Sequence, residues 1–85
     1  MYKVELRRSS QKSLEKIQTQ ERLKIINTLL ELEQNPRPRG IEKVSGVELW
    51  RIREGDYRIV FSIDDVEKII TIVRIGHRRD VYRGL

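Results

Sequence analysis

Arginine alternates with large apolar residues through Trp50-Arg51-Ile52-Arg53-Glu54-Gly55-Asp56-Tyr57-Arg58-Ile59-Val60-Phe61. Side chains two apart on an extended strand point the same way. A hairpin turning on Gly55-Asp56 therefore gathers Arg51, Arg53 and Arg58 on one face. A guanidinium presents a planar fork of donors that grips phosphate oxygens in pairs, which a lysine ammonium does not. The chemistry this face suits is the holding of a phosphate-like anion. A second basic cluster, His77-Arg78-Arg79-Asp80-Val81-Tyr82-Arg83, follows Gly76 and completes a cationic cleft at the sheet edge.

Periodicity shows which elements must position these groups. In the register set by Gly55-Asp56, Glu54 pairs with Tyr57, Arg53 with Arg58, Ile52 with Ile59, Arg51 with Val60 and Trp50 with Phe61. Trp50, Ile52, Ile59 and Phe61 then face a core, with a base-stacking platform as the alternative role for Trp50. Arg53 opposite Arg58 is a like-charge pair that weakens the ladder. A local rule broken without structural return marks a functional surface. Asp64-Asp65 is expected to turn the next hairpin, pairing Ile63 with Val66, Ile59 with Ile70 and Arg58 with Thr71. The last strand, Lys68 to Ile75, is apolar on both faces. Arg74 shares the parity of Ile70 and Ile72 and receives no role.

Upstream, Tyr2, Val4 and Leu6 alternate with Lys3, Glu5 and Arg7, which predicts a short first strand. Ser9 or Ser10 is expected to cap a helix carrying Leu14 and Ile17, and Thr19 to cap a second. That second helix places Leu23, Ile26 and Leu30 on one stripe, widened by Ile25, Leu29 and Leu32. Asn35-Pro36 ends it, because the residue before proline is pushed out of the α region. Residues 36–46 read as a loop whose cations Arg37, Arg39 and Lys43 either touch phosphates or are simply solvated. The predicted fold is α+β, a single domain over residues 1–85, with the N-terminal strand and helical hairpin packed on a small antiparallel sheet.

Composition narrows the function. A net charge of +5 with 36% charged residues favours an anionic partner, nucleic acid first, with plain solubility as the alternative. Seven of the nine basic residues from Lys43 onward are arginine, which favours phosphate recognition over mere solvation. Without cysteine there is no disulfide framework, thiolate metal site or cysteine nucleophile. A single histidine leaves a histidine-rich metal site without ligands. No apolar run approaches the roughly 18 residues a membrane span needs. The start of the chain lacks a signal peptide's apolar region, so a cytoplasmic location away from membranes is expected.

The order strand, helical hairpin, proline-bearing loop and three-strand meander resembles the RelE/ParE toxin superfamily. So do the segments Asn35-Pro36-Arg37-Pro38, Arg53-Glu54-Gly55-Asp56-Tyr57-Arg58-Ile59-Val60-Phe61 and Ile75-Gly76-His77-Arg78-Arg79-Asp80-Val81-Tyr82. The similarity spans essentially the whole chain. It implies the toxin of a type II toxin–antitoxin module, in the RelE branch an endoribonuclease (mRNA interferase) that cleaves mRNA on the ribosome without metal or cofactor. There the ribose 2′-hydroxyl attacks the adjacent phosphate, which requires a base, an acid and cations around the phosphorus. The resemblance assigns catalytic roles to Arg58, Arg78 and Tyr82; phosphate binding is expected of Arg51, Arg53 and Arg79 from arginine chemistry.

The best-known RelE-type enzymes have lysines where this chain has Arg51 and Arg53. Arginine keeps its proton far above neutral pH and is poorly suited to shuttling protons. Acid–base work then falls to Tyr82 and His77. His77 is of the type that titrates near neutrality, or alternatively it orients the turn by hydrogen bonding. Tyr82 acts as a base if its arginine neighbours favour the phenolate, or else stacks on a nucleobase. Glu48 and Asp56 are further candidate bases that read more simply as turn or solvated residues. The implied partners are a cognate antitoxin protein, mRNA and the ribosome, with operator DNA reached only through the antitoxin. The backbone of residues 2–6, if an edge strand, offers the antitoxin a docking site. Two alternatives stay open: a ParE-like inhibitor of DNA gyrase, and a non-catalytic module that docks an antitoxin or DNA.

Overall fold

The chain runs through β1 (Lys3–Leu6), α1 (Arg8–Glu15), α2 (Thr19–Gln34), β2 (Glu42–Lys43), β3 (Trp50–Glu54), β4 (Tyr57–Asp64) and β5 (Ile69–His77). These elements come from a computed structural model that describes residues 1–83. All five strands lie in one sheet, in the order β1-β5-β4-β3-β2. The β2, β3, β4 and β5 neighbours pair antiparallel, whereas β1 lies parallel beside β5, from Lys3 opposite Ile69 to Leu6 opposite Ile72. The α+β class is as expected, with two additions. The sheet is mixed, and the 36–46 connection carries β2 at the far edge, where two polar residues give no alternating signal.

The helices cover one face. Ile59 and Phe61 of β4 and Ile70, Ile72 and Ile75 of β5 meet Ile17, Ile25, Leu29 and Leu32 in one buried cluster. Trp50 and Ile52 pack against it, partly buried. The stripe expected on α2 is rotated. Leu23 and Leu30 are 59% and 55% exposed, while Ile25, Thr28, Leu29 and Leu32 are buried. Both stripes are apolar in sequence, and Thr28 at the centre disguised the true one. Its hydroxyl lies 3.2 Å from the Glu54 carboxylate and 3.2 Å from the Lys24 carbonyl, so the polar group is satisfied where it sits.

Capping also departs from expectation. α1 begins after Arg7 and α2 after Gln18, neither with a side-chain cap. Ser10 is instead buried, and its hydroxyl donates to the Ile72 carbonyl at 3.0 Å. The Arg7 N–H donates to the same oxygen at 3.1 Å. These two bonds dock the start of α1 on β5 at the point where β1 ends.

The first hairpin has the expected register, from Trp50–Phe61 to Glu54–Tyr57. Gly55, at φ +60°, takes the left-handed position that a type II′ turn requires of its first central residue. The second hairpin differs. Asp64 pairs with Ile69 and Ile63 with Ile70, so residues 65–68 form the loop and Asp64-Asp65 is not the turn. Asp64 Oδ1 accepts N–H bonds from Val66 at 3.1 Å and Glu67 at 3.0 Å. Lys68 then closes the loop at φ +59°. An aspartate that folds onto its own following backbone needs more chain than a two-residue turn provides.

A register shift between Val60 and Phe61 follows: Phe61 pairs with Ile72 but Val60 with Arg74. Val73 is thus the extra residue of a β-bulge. Ile75 still reaches the helix side opposite Ile59, and Gly76 falls opposite Arg58. Arg74 changes sides. It joins Arg51 and Val60 on the face away from the helices, contrary to the parity read from sequence.

Candidate functional site

Two cross-strand rows cross the face away from the helices. One runs Arg53, Arg58, Gly76 and the other Arg51, Val60, Arg74. Val60 is fully buried there, because Val44 from the segment after β2 and Val81 from the tail close over it. Leu49 and Tyr82 pack at the margin of this second, smaller core. It explains why β4 and β5 are apolar on both faces, as strands covered on both sides are.

Backbone bonds fix the tail. The Arg78 N–H donates to the Asp56 carbonyl at 2.8 Å, tying the tail to the first hairpin turn. Asp80 and Val81 N–H groups both donate to the His77 carbonyl, at 2.9 and 3.0 Å, and the Arg83 N–H donates to the Asp80 carbonyl at 3.1 Å. These turns bring Tyr82 back beside β3, where the Arg51 guanidinium carbon lies 5.4 Å from its ring centroid. That is a cation–π distance. Arg51 Nε also lies 3.7 Å from Glu42 Oε1. Arg53 Nε and Arg58 Nη1 each donate to the Gly55 carbonyl at 3.3 Å, and Arg58 Nη1 donates to its neighbour Tyr57's carbonyl at 3.1 Å.

The result is an open cleft of about 510 Å³ lined by Glu42, Arg51, Arg58, Arg78, Arg79 and Tyr82. Of the residues expected at the site, Arg51, Arg58, Arg78, Arg79 and Tyr82 are gathered here. Arg53 is exposed and turned toward Gly55, outside the lining. His77 is outside it too. Its strand position pairs with Tyr57, and the two rings meet edge to face, 6.0 Å between centroids at 78°. Its Nδ1 accepts the Arg79 N–H at 3.3 Å, so it orients the turn. Glu48 is exposed and paired with Lys43 at 3.2 Å. Asp56 contributes its carbonyl to the tail.

One residue that sequence reasoning passed over belongs to the cleft lining. Glu42 places a carboxylate on the cleft wall. Its signal was the opposite charge that pairs it with Arg51 across β2 and β3, legible only once β2 is recognised. Arg74, which the bulge brings to the same face, stands outside that lining. No group of three or more histidine, cysteine, aspartate or glutamate side chains among the described residues could hold a metal ion. Four guanidinium groups around one cavity can hold a phosphate and stabilise additional charge on it. Beside them stand an aromatic ring fit for stacking and a carboxylate that can accept a proton.

Residues 4–82 match the family model of the ParE toxin of the type II toxin–antitoxin system parDE. Toxin RelG of Mycobacterium tuberculosis is 45% identical over 31 residues, which are 36% of this chain and 36% of that toxin. The match thus spans about a third of that curated relative's length. A chain of the archaeal RelE–RelB complex from Pyrococcus horikoshii superposes with a TM-score of 0.82 at 27% identity, covering 94% of this chain and 98% of that one. The intact E. coli RelBE toxin–antitoxin complex gives 0.79 at 21% identity, covering 91% and 96%.

Proposed function

The chain belongs to the ParE toxin family of type II toxin–antitoxin systems, and starting from that membership we propose that it is an endoribonuclease toxin that cuts mRNA on the ribosome, in the cytoplasm. What supports this is the cleft: Arg51, Arg58, Arg78 and Arg79 surround it, with Tyr82 and Glu42 on its wall. The ribose 2′-oxygen forms a bond to the adjacent phosphorus while the bond from phosphorus to the 5′-oxygen breaks. The products are a 2′,3′-cyclic phosphate and a 5′-hydroxyl. The arginines hold the phosphate and stabilise the charge that builds on it. Glu42 accepts the 2′-hydroxyl proton, since among the lining side chains the carboxylate is the type that does so most readily near neutrality. Tyr82, its ring set to stack on the nucleobase, passes its proton to the leaving 5′-oxygen, which completes the 5′-hydroxyl.

The neighbouring RelB–RelE structures are toxin–antitoxin complexes. A cognate antitoxin is the partner we assign, with operator DNA contacted only through it. β1, an edge strand, offers that antitoxin unpaired backbone.

A second reading, inhibition of DNA gyrase, is favoured by the ParE description of the matching family. Inducible expression with mapping of mRNA 5′ ends separates the two. Ribonuclease activity predicts new 5′-hydroxyl ends within translated mRNA and loss of translation, both abolished in the Arg58→Ala, Arg78→Ala double variant. DNA breaks with continuing translation would replace it by the gyrase reading. Persisting toxicity in the double variant would show that the cleft is not catalytic.

A further inference from the structure

We propose that Arg74 is a positioning residue: by donating to the carbonyls on either side of Tyr82, it holds the Tyr82 ring against Arg51. The Val73 bulge swings Arg74 to the cleft side of the sheet, in the row of Arg51 and Val60. From there its Nη1 donates to the Val81 carbonyl at 3.2 Å and to the Arg83 carbonyl. Val81 and Arg83 flank Tyr82 in the chain. Arg74 is half-buried, and both these acceptors are neutral backbone oxygens. Such a group serves geometry, because a fork of donors fixed on a strand can set two carbonyls at once.

The first tail turn does not need it. Arg78 and Val81 are held by the Asp56 and His77 carbonyls and by packing on Val60 and Val44. The second turn, which carries Tyr82, has the Arg83 N–H bond to Asp80 and the two bonds from Arg74. Removing Arg74 therefore frees Tyr82 while leaving the cleft arginines in place.

For its kinetic consequence this role rests on the ribonuclease reading; for its structural consequence it rests on the geometry alone. The test uses the full chain as wild type, Arg74→Met, Arg74→Lys, Tyr82→Ala and the Arg74→Met, Tyr82→Ala double variant, with mRNA on programmed ribosomes. Misplacement of a catalytic group by about 1 Å is worth about 10²-fold in rate. Arg74→Met is accordingly expected to lower kcat by about 10²-fold, with KM changed less than about threefold. On the Tyr82→Ala background, where the ring is gone, the same change is expected to add almost nothing, and Arg74→Lys on the wild-type background to recover part of the loss. In parallel, the nuclear Overhauser contact between the Arg51 side chain and the Tyr82 ring should vanish in Arg74→Met while contacts of Ile25 and Leu32 persist.

Losses that multiply in the double variant, or an intact Arg51–Tyr82 contact in Arg74→Met, would overturn the proposal. If Arg74→Met fails to fold, Arg74→Lys carries the same two readouts. If wild type cleaves no RNA, the ribonuclease reading falls and the Arg51–Tyr82 contact alone decides the role of Arg74.

Discussion

Arg53 and Arg58 stand directly opposite each other, and both turn to the Gly55 carbonyl. The oxygen's negative end lies between two positive groups and offsets part of their repulsion. Their fates then diverge, since Arg58 lines the cleft and Arg53 does not. A phosphate entering the cleft competes with two neutral carbonyls for Arg58, and a charged acceptor makes the stronger bond. Arg58→Ala is expected to lower the rate of RNA cleavage by about 10²–10³-fold, in the range of losing one preorganised donor to a developing charge. Arg53→Ala should stay within about threefold, because it removes a cation that does not touch the cavity. Single-turnover cleavage of ribosome-bound mRNA by both variants checks this, and equal losses would contradict the division. The arginine face itself was legible in sequence, because alternation fixes which side chains point together. The side on which His77 lies was not. It depends on one inserted residue, Val73, that leaves no mark in the pattern of apolar positions.

Elements were legible where polarity and period agreed, and misread where a polar group is satisfied inside the fold. The strands of the first hairpin, both helices and the stop at Asn35-Pro36 fall where the residues place them. On α2 the expected Ile25, Leu29 and Leu32 are buried, but the stripe was centred on Leu23 and Leu30 because Thr28 reads as a surface residue until its partners Glu54 and Lys24 are known. Ser10 misled in the same way, its hydroxyl serving β5 instead of the helix start. The distinction is measurable. Leu32→Ala, at a fully buried position of α2, should lower unfolding free energy by about 2–5 kcal/mol. Leu30→Gln, on the exposed stripe, should change it by about 0.5 kcal/mol or less. Urea denaturation of the two variants checks the rotation of the helix.

Across the whole molecule, the end of the sheet remote from the Gly55 turn is gathered on one carboxylate. Asp65 accepts both terminal nitrogens of Arg37, at 3.0 and 2.8 Å, and the Tyr2 hydroxyl at 2.6 Å. The Lys68 ammonium lies 4.9 Å from the Tyr2 ring centroid. The cluster joins the N-terminus, the connection after α2 and the loop between β4 and β5. Hydrogen bonds from Arg37 and then Tyr2 hold the Asp65 carboxyl well below the usual carboxylate range, and the same contact raises Arg37. A lowered carboxylate contributes stability above its unfolded value of 3.8 and loses it as pH falls below that toward the folded value. Asp65→Asn should therefore melt below wild type at pH 7, with the gap closing on acidification below about pH 4. A gap that stays constant down to strongly acid pH would show that ionisation of Asp65 contributes nothing.

The parallel pairing of β1 with β5 bears on the order of synthesis. β1 leaves the ribosome first among the strands, yet its one neighbour in the sheet is the last of them to be made. A nascent chain that stops short of Ile69 holds its first strand without a partner. One that stops short of Tyr82 lacks a wall of the cleft. A product that ends before Tyr82 lacks part of the cleft lining, so translation must reach Tyr82 before that cleft is complete.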